Sequence, residues 1–391
     1  MTYDTIIIGG GIIGCTTAFY LSRAGHKVLL IEQAQVATGT TANSFAWANA
    51  STKTGTTTTD STYHNLNAAG LKGYQTLQRE FGAETLGINP TGALEVVSKS
   101  DADGFKAMQE QARALTALNY PNRWISHTEL HQLEPNMTFA TDAEGLLSPD
   151  DLCINAPQFT RFMADQTVKM GGTLHQNCTA TELLATDAGE ITGLTTTKGT
   201  FRTKNVLLAT GANTATTLAT ITGYDGFATG FPLNQVPGLL LTTPPLATPD
   251  LIRHLYYSAP QNELHILPEF NGGLKIASDD IDGMIIDNQS PDHLRNLGQL
   301  LLNRAYKVLP QLSNTINIDD CKLGIGVRPY PKDGKTIAGP MPDAQGLHII
   351  ATHSGITLAP ALGPLMAQAI TQNTTPERLA PFALTRFAGF S

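Results

Sequence analysis

The chain has 391 residues, enough for two domains at the usual ~100 to 200 residues each, or for one large α/β domain with an inserted second. A formal net charge of −8 leaves no electrostatic footprint for nucleic acid or an anionic membrane surface, so small-molecule chemistry is the expectation. The four cysteines, Cys15, Cys153, Cys178 and Cys321, form no CxxC pair, which argues against a zinc ribbon or a redox dithiol and fits a reducing compartment.

The N-terminus reaches the apolar pattern TIIIGG within a few residues, without the basic and apolar segments of a signal peptide. No apolar run approaches the ~18 to 20 residues of a membrane span, so a soluble, cytoplasmic protein is expected. Tyr3 to Ile8 reads as a central parallel strand buried on both faces. Gly9, Gly11 and Gly14 follow as GxGxxG, the segment from Ile12 to Ala24 reads as a packed helix ended by Gly25, and Val28 to Ile31 as a second buried strand. Each glycine has a reason: Gly9 for a tight turn, Gly11 for close approach of a pyrophosphate to the helix N-terminus, Gly14 for close helix–strand packing. Glu32 closes the second strand, where a carboxylate accepts hydrogen bonds from ribose hydroxyls and repels a 2′-phosphate, favouring FAD or NAD over NADP.

Further along come TGTTANSFAWANAS from Thr38, the threonine-rich loop STKTGTTTTDST over residues 51–62, and INPTGALEVV from Ile88. In SHTELHQLEP, His127 and His131 stand at i and i+4, but the glutamate of a zincin would follow the first histidine directly. Here it is Glu129, which with Ser126 makes a capping box, so no metal is expected. LCINAPQFTRFMADQTVKMGGTLHQNCTATEL from Leu152 and KNVLLATGANT from Lys204 come next. The stretches HLYYSAPQNELHILPEF and GLKIASDDI alternate apolar residues between turn residues, as antiparallel strands do. The chain closes with GVRPYPKDGKTIAGP and LHIIATHSGITLAPALGPLMAQAI.

In order and spacing these segments resemble the D-amino-acid oxidase-like FAD-dependent oxidoreductases, the group of glycine oxidase, sarcosine oxidases and D-amino-acid dehydrogenases, over nearly the whole chain. The resemblance implies an α/β fold: a Rossmann-type FAD-binding domain, discontinuous over residues 1–50, 150–225 and 320–391. An inserted α+β substrate domain, built on an antiparallel sheet, would come from residues 51–149 and 226–319. It implies FAD contacts at Gly9, Gly11, Ile12, Ile13, Gly14, Glu32, Gln33, Thr40, Thr41, Ser44, Cys178, Thr179, Thr210, Gly211, Ser354, Gly355, Ile356 and Thr357. It implies that Arg328 binds the substrate carboxylate. The reaction would be hydride transfer from the α-carbon of an amino or imino acid to flavin N5, followed by imine hydrolysis, with O2 or a quinone as electron acceptor. The substrate would be a D-amino acid, glycine, an N-alkyl glycine or a proline-like acid.

Other residues have two readings each. His353, in THSGIT, either holds its turn through a backbone hydrogen bond or takes part in catalysis. His265 either lines the substrate pocket or packs across strands, and Phe45 and Trp47 either line the flavin or substrate channel or belong to the core. Cys321 lies seven residues before Arg328, on the wrong side for the covalent flavin anchor of sarcosine oxidases, so non-covalent FAD is expected. A structural partner for Arg328 would be Asp319 or Asp320. The competing functions are a flavin-dependent hydroxylase and a tRNA-modifying oxidoreductase on the same fold. A disulfide reductase lacks its second GxGxxG, and a non-catalytic FAD-binding protein would leave Arg328 without a purpose.

Overall fold

The computed structural model describes residues 1–54, 61–223, 225–248, 250–258 and 263–390. The first strand, Thr5–Ile8, and the second, Val28–Ile31, are buried along their whole length and pair in parallel, Ile8 opposite Ile31. The helix between them runs Ile12–Arg23. It ends as the sequence leads one to expect: Gly25 takes φ +84, its N–H reaches the Ser22 carbonyl, and the His26 N–H reaches Leu21. Those bonds satisfy carbonyls that the helix end would otherwise leave unpaired.

A six-stranded sheet grows around this unit in the order Ile337–Pro340, Leu347–Ala351, Val206–Leu208, Thr5–Ile8, Val28–Ile31, Thr173–His175. All neighbours are parallel except the edge strand Ile337–Pro340. One face is covered by the helices Ile12–Arg23, Thr62–Phe81, Ala156–Lys169 and Gly355–Gln372, which share a core with Phe19, Tyr74, Phe159 and Met366. The other face packs against the small antiparallel sheet of residues 180–185, 191–196 and 199–202.

A second sheet has eight strands, ordered Lys322–Pro331, Leu233–Thr242, Leu274–Ala277, Leu264–Pro268, Leu255–Ser258, Ala93–Ser98, Ala143–Ser148, Arg123–Ile125. It is antiparallel apart from the pairing of Leu255–Ser258 with Ala93–Ser98, which joins the two inserted stretches. The helix Pro291–Val308 buries Leu297, Leu301 and Leu302 in the core that also takes Leu239, Ile266 and Ile276 from this sheet.

Two stretches cross the boundaries read from the sequence. Lys322–Pro331 pairs with Leu233–Thr242 over ten residue pairs, so the C-terminal stretch beginning at residue 320 contributes a strand to the second sheet before returning to the first. The helix Thr62–Phe81, within residues 51–149, packs on the last helix beside the first sheet: Gly70 sits where a Cβ would lie 2.0 Å from the Thr357 carbonyl oxygen. The threonine-rich loop lies in part, at residues 55–60, outside the described residues. Among the described residues no helix is long and apolar enough to cross a membrane.

Candidate active site

A groove of about 680 Å³ opens where the parallel strands end, along Gly9 to Ile13, Glu32, Thr210 and His353, and runs to Val327, Arg328 and Pro329 of the second sheet. This is the crevice at the carboxyl ends of an open α/β sheet, where ligands of such folds bind. Gly9 takes φ +115, and a Cβ there would stand 2.4 Å from the Ala209 carbonyl oxygen. A Cβ on Gly14 would stand 1.9 Å from the Gly9 oxygen, so Gly14 works by close packing and does not line the groove. Gly11 faces open space, meeting only Thr41 Oγ1 at 3.4 Å, and the helix it starts has no side-chain cap at that residue. Thr41 Oγ1 accepts the Ile12 N–H at 3.1 Å. The rest of this helix end is backbone N–H groups beside a cavity, a ready-made anion site.

Glu32 reaches back to the loop: one carboxylate oxygen accepts the Gly10 N–H at 2.7 Å and the other the Ala34 N–H at 2.8 Å. Each oxygen keeps a second lone pair for a ligand hydroxyl. Gln33, Thr40, Thr41, Ser44, Cys178, Thr179, Thr210 and Gly211 all line the groove. Thr40 Oγ1 donates to the Val327 carbonyl at 2.8 Å, tying the segment after the second strand to the strand that carries Arg328. Gly355 and Ile356 present the N-terminus of the last helix, which Ser354 leaves without a side-chain cap. The side chains of Ser354 and Thr357 turn inward instead: Ser354 Oγ accepts from the Tyr63 hydroxyl at 2.9 Å, and Thr357 Oγ1 from the Asn49 N–H at 3.1 Å.

Arg328 lines the groove, but its guanidinium is not free. Nη2 donates to Asp282 and Nη1 to Asp279 at 3.3 Å, both on the short helix Asp279–Asp282. These replace the partners expected from sequence: Asp319 pairs with Arg295, and Asp320 caps the turn at Asn317. Asp282 is nearly buried, and desolvation pushes its carboxyl up to about 6 against the pull of Arg328. Arg328 Nε is buried and has no partner among the described residues. The sequence signal for the pair was present in SDDID, where acids three apart share one side of a helical turn, but nothing local says that Arg328 faces them.

His353 lines the groove and stacks on Tyr330 at 4.4 Å between ring centroids. Its Nε2 lies 3.0 Å from the Gly334 carbonyl, and its Nδ1 3.2 Å from Ser354 Oγ. A carbonyl only accepts, so Nε2 carries the proton and Nδ1 accepts from Ser354, whose oxygen takes the Tyr63 proton in turn. Burial lowers His353 to about 4, keeping it neutral. Both nitrogens are engaged within the protein, which is the turn-holding alternative.

His265 lies outside the groove lining. It stands opposite Tyr257 across the strands, its ring 5.8 Å from those of Tyr257 and Phe45, and Nε2 is 3.2 Å from Glu263. The geometry is the cross-strand packing reading. Trp47 joins the same cluster, 5.2 Å from Tyr257, and its indole N–H donates to Asp151 at 3.0 Å. Asp151 also accepts from Ser51 and Tyr120 and, being fully buried, is pushed up to about 6. Glu95, below Tyr257, is pushed by burial up to about 7. Sequence reading missed these two buried acids, because a lone aspartate or glutamate in a strand pattern carries no sign of burial. Cys321 is half-buried, donates to the Asn317 carbonyl and does not line the groove.

Comparison with known proteins agrees over the whole chain. Residues 4–369 match the family described as FAD dependent oxidoreductase. A glycine oxidase of Geobacillus kaustophilus is 24% identical over 390 residues, covering 99% of this chain and 98% of that protein. The crystal structure of glycine oxidase from Geobacillus kaustophilus superposes with a TM-score of 0.80 at 23% identity, covering 99% of this chain and 100% of the other. That of L-proline dehydrogenase from P. horikoshii gives 0.81 at 20% identity, covering 99% and 98%.

Proposed function

The chain belongs to the FAD-dependent oxidoreductase family, and on that premise we propose that it oxidises an α-amino or imino acid held by its carboxylate at Arg328. The observation that carries this reading is that Arg328 lines the same groove as the glycine loop and the N-terminus of the last helix. The groove fits FAD: Gly9 and Gly14 leave no room for a Cβ, the Gly11 helix end has a single side-chain acceptor, and Glu32 has lone pairs to spare. Gly11 and Ile12 would hold the pyrophosphate, Glu32 the adenosine ribose, and Gly355 and Ile356 the far end of the cofactor.

FAD, when bound, supplies the two-electron acceptor that turns the substrate C–N bond into an imine, which water hydrolyses. The protein's share is positioning. A guanidinium grips a carboxylate through two parallel hydrogen bonds and fixes the α-carbon, which a lysine ammonium, as a point charge, does less well. His353, which lines the groove, is neutral and adds no charge at this end. Glycine, N-alkyl glycines, D-amino acids and proline-like acids are the substrate class, in keeping with the glycine oxidase and L-proline dehydrogenase among the similar proteins. The acceptor is O2 or a quinone, the FAD is non-covalent, and four free cysteines suit the cytoplasm.

The test is an anaerobic screen of amino and imino acids against the purified yellow protein, followed by acid denaturation. The expected result is bleaching of the flavin absorbance by at least one of these acids and release of all flavin from the denatured chain. Bleaching by NADPH and by no amino or imino acid would replace the reading with a flavin-dependent hydroxylase.

A further inference from the structure

Arg328 approaches the groove with its guanidinium already held by two carboxylates of different accessibility. Asp279 is 63% exposed and touches Nη1 at 3.3 Å, whereas Asp282 is 10% exposed and accepts from Nη2. Their helical turn is anchored from behind: Arg304 donates to both oxygens of Asp280, at 2.8 and 2.7 Å, and to Ser278 Oγ at 3.0 Å. Asp282 fits where it does because residue 238 is glycine; a Cβ there would lie 3.2 Å from Asp282 Oδ1. A guanidinium has five N–H donors, and the pair engages one from each terminal nitrogen, while the buried Nε–H has no partner among the described residues. The Nε–H lies out of solvent's reach, so Arg328 meets a ligand through its terminal nitrogens, and of the two places there Asp279 holds the exposed one.

Resting on the assignment of Arg328 to the substrate carboxylate, we infer that Asp279 is a displaceable stand-in for that carboxylate. Asp282 is a positioning residue that keeps the guanidinium aimed into the groove while the exchange takes place. One anion takes the place of another on Arg328, so an incoming carboxylate binds only as far as it outcompetes Asp279. No bond is made or broken in the exchange. Among the described residues, Lys53 and His353 also sense this cluster, the first lowered chiefly by lost hydration and the second neutral. Asp279 thus sets how tightly amino acids bind, and Asp282 sets whether Arg328 can receive them.

The experiment titrates FAD-loaded protein with benzoate, read by the perturbation of flavin absorbance, with benzamide as the uncharged control. The wild type, Asp279→Asn, Asp282→Ala, Asp282→Asn and Arg328→Ala proteins are compared. Asp279→Asn should bind benzoate about three- to ten-fold tighter, with KM for the best amino-acid substrate falling by a similar factor. Asp282→Ala should bind at least ten-fold weaker, and Asp282→Asn, which keeps an acceptor oxygen, should recover most of that loss. Benzamide should not distinguish the variants. Unchanged or weaker binding in Asp279→Asn overturns the stand-in role, and since that side chain is exposed the variant decides the point even where Asp282→Ala does not fold. Wild-type binding in Asp282→Ala overturns the positioning role. Arg328→Ala separates the two layers of argument: if it binds benzoate as the wild type does, the carboxylate assignment itself fails. If it alone loses binding, only the roles of the aspartates fail.

Discussion

At the glycine loop the groove is walled by backbone, with Gly9, Gly11 and Ile12 within six residues of the first strand; at its other end it is lined by the Arg328 side chain, which Asp279 and Asp282 hold from outside the lining. The first wall tolerates no added atom at Gly9, where a Cβ would meet the Ala209 carbonyl oxygen at 2.4 Å, nor at Gly14 behind it, where one would meet the Gly9 oxygen at 1.9 Å. The second is a balance of charges whose partners can exchange. A backbone wall fixes one ligand shape and is damaged by bulk. A side-chain wall selects by charge and is damaged by losing one member of a set.

The sharpest way to separate the two walls is Arg328→Ala. Removing one partner of a desolvated charge pair costs roughly 2 to 5 kcal/mol, so kcat/KM should fall by about thirty-fold to several thousand-fold while the protein keeps its FAD. Loss of flavin with normal kinetics per bound flavin would make Arg328 structural and merge the walls into one. Gly14→Ala should do the reverse. Overpacking usually costs about 1 to 3 kcal/mol, and because the atom met is backbone, about 3 kcal/mol is expected, appearing as lost FAD affinity and a lower Tm. Unchanged FAD affinity would show that the helix can shift away from the first strand.

Glu32→Ala is the one charge removal within the backbone wall. It deletes the acceptor for the Gly10 and Ala34 N–H groups together with the proposed contact to ribose, so apoprotein titration should show FAD binding weakened by about 2 kcal/mol. An effect on Tm without one on FAD affinity would confine Glu32 to holding the loop.

The last effect belongs to the interior of the second sheet, on the strand Ala93–Ser98, with four strands between it and the one that carries Arg328. Glu95 titrates at about 7 because burial favours its neutral form, above the 4.5 it has when exposed. Its contribution to stability is therefore complete below about pH 4.5 and is lost as pH rises through about 7. One pH unit of such displacement corresponds to about 1.4 kcal/mol, so Glu95→Gln should stabilise the protein at pH 8 by at least about 1 kcal/mol. Thermal unfolding of the two proteins should coincide at pH 4.5 and diverge above it. A constant difference at every pH would place the effect in packing around Tyr257 and Gln111 rather than in charge.

The sequence by itself determined the nucleotide half of the protein. Ile6, Ile7 and Ile8, then Gly9, Gly11 and Gly14, then Glu32 carry a strand, a turn, a close contact and an acid in one continuous run, and each follows from local sterics or from one neighbouring strand. The same holds for the capping box at Ser126 and Glu129 and the glycine that ends the first helix. Tertiary structure alone decided the rest. Arg328 meets Asp282 because Lys322–Pro331 pairs with Leu233–Thr242, and Gly238 in that partner strand clears a space for the carboxylate. Nothing within ten residues of Arg328 encodes that meeting; the nearer acids Asp319 and Asp320 were taken up by Arg295 and by a turn. His353 likewise owes its neutrality to burial, against the pull of the Gly334 carbonyl, and Glu95 and Asp151 owe their raised titration to burial. The physical reason is range. Backbone sterics act between neighbours in the chain, whereas charge pairing and desolvation depend on what long-range strand pairing brings within a few ångströms.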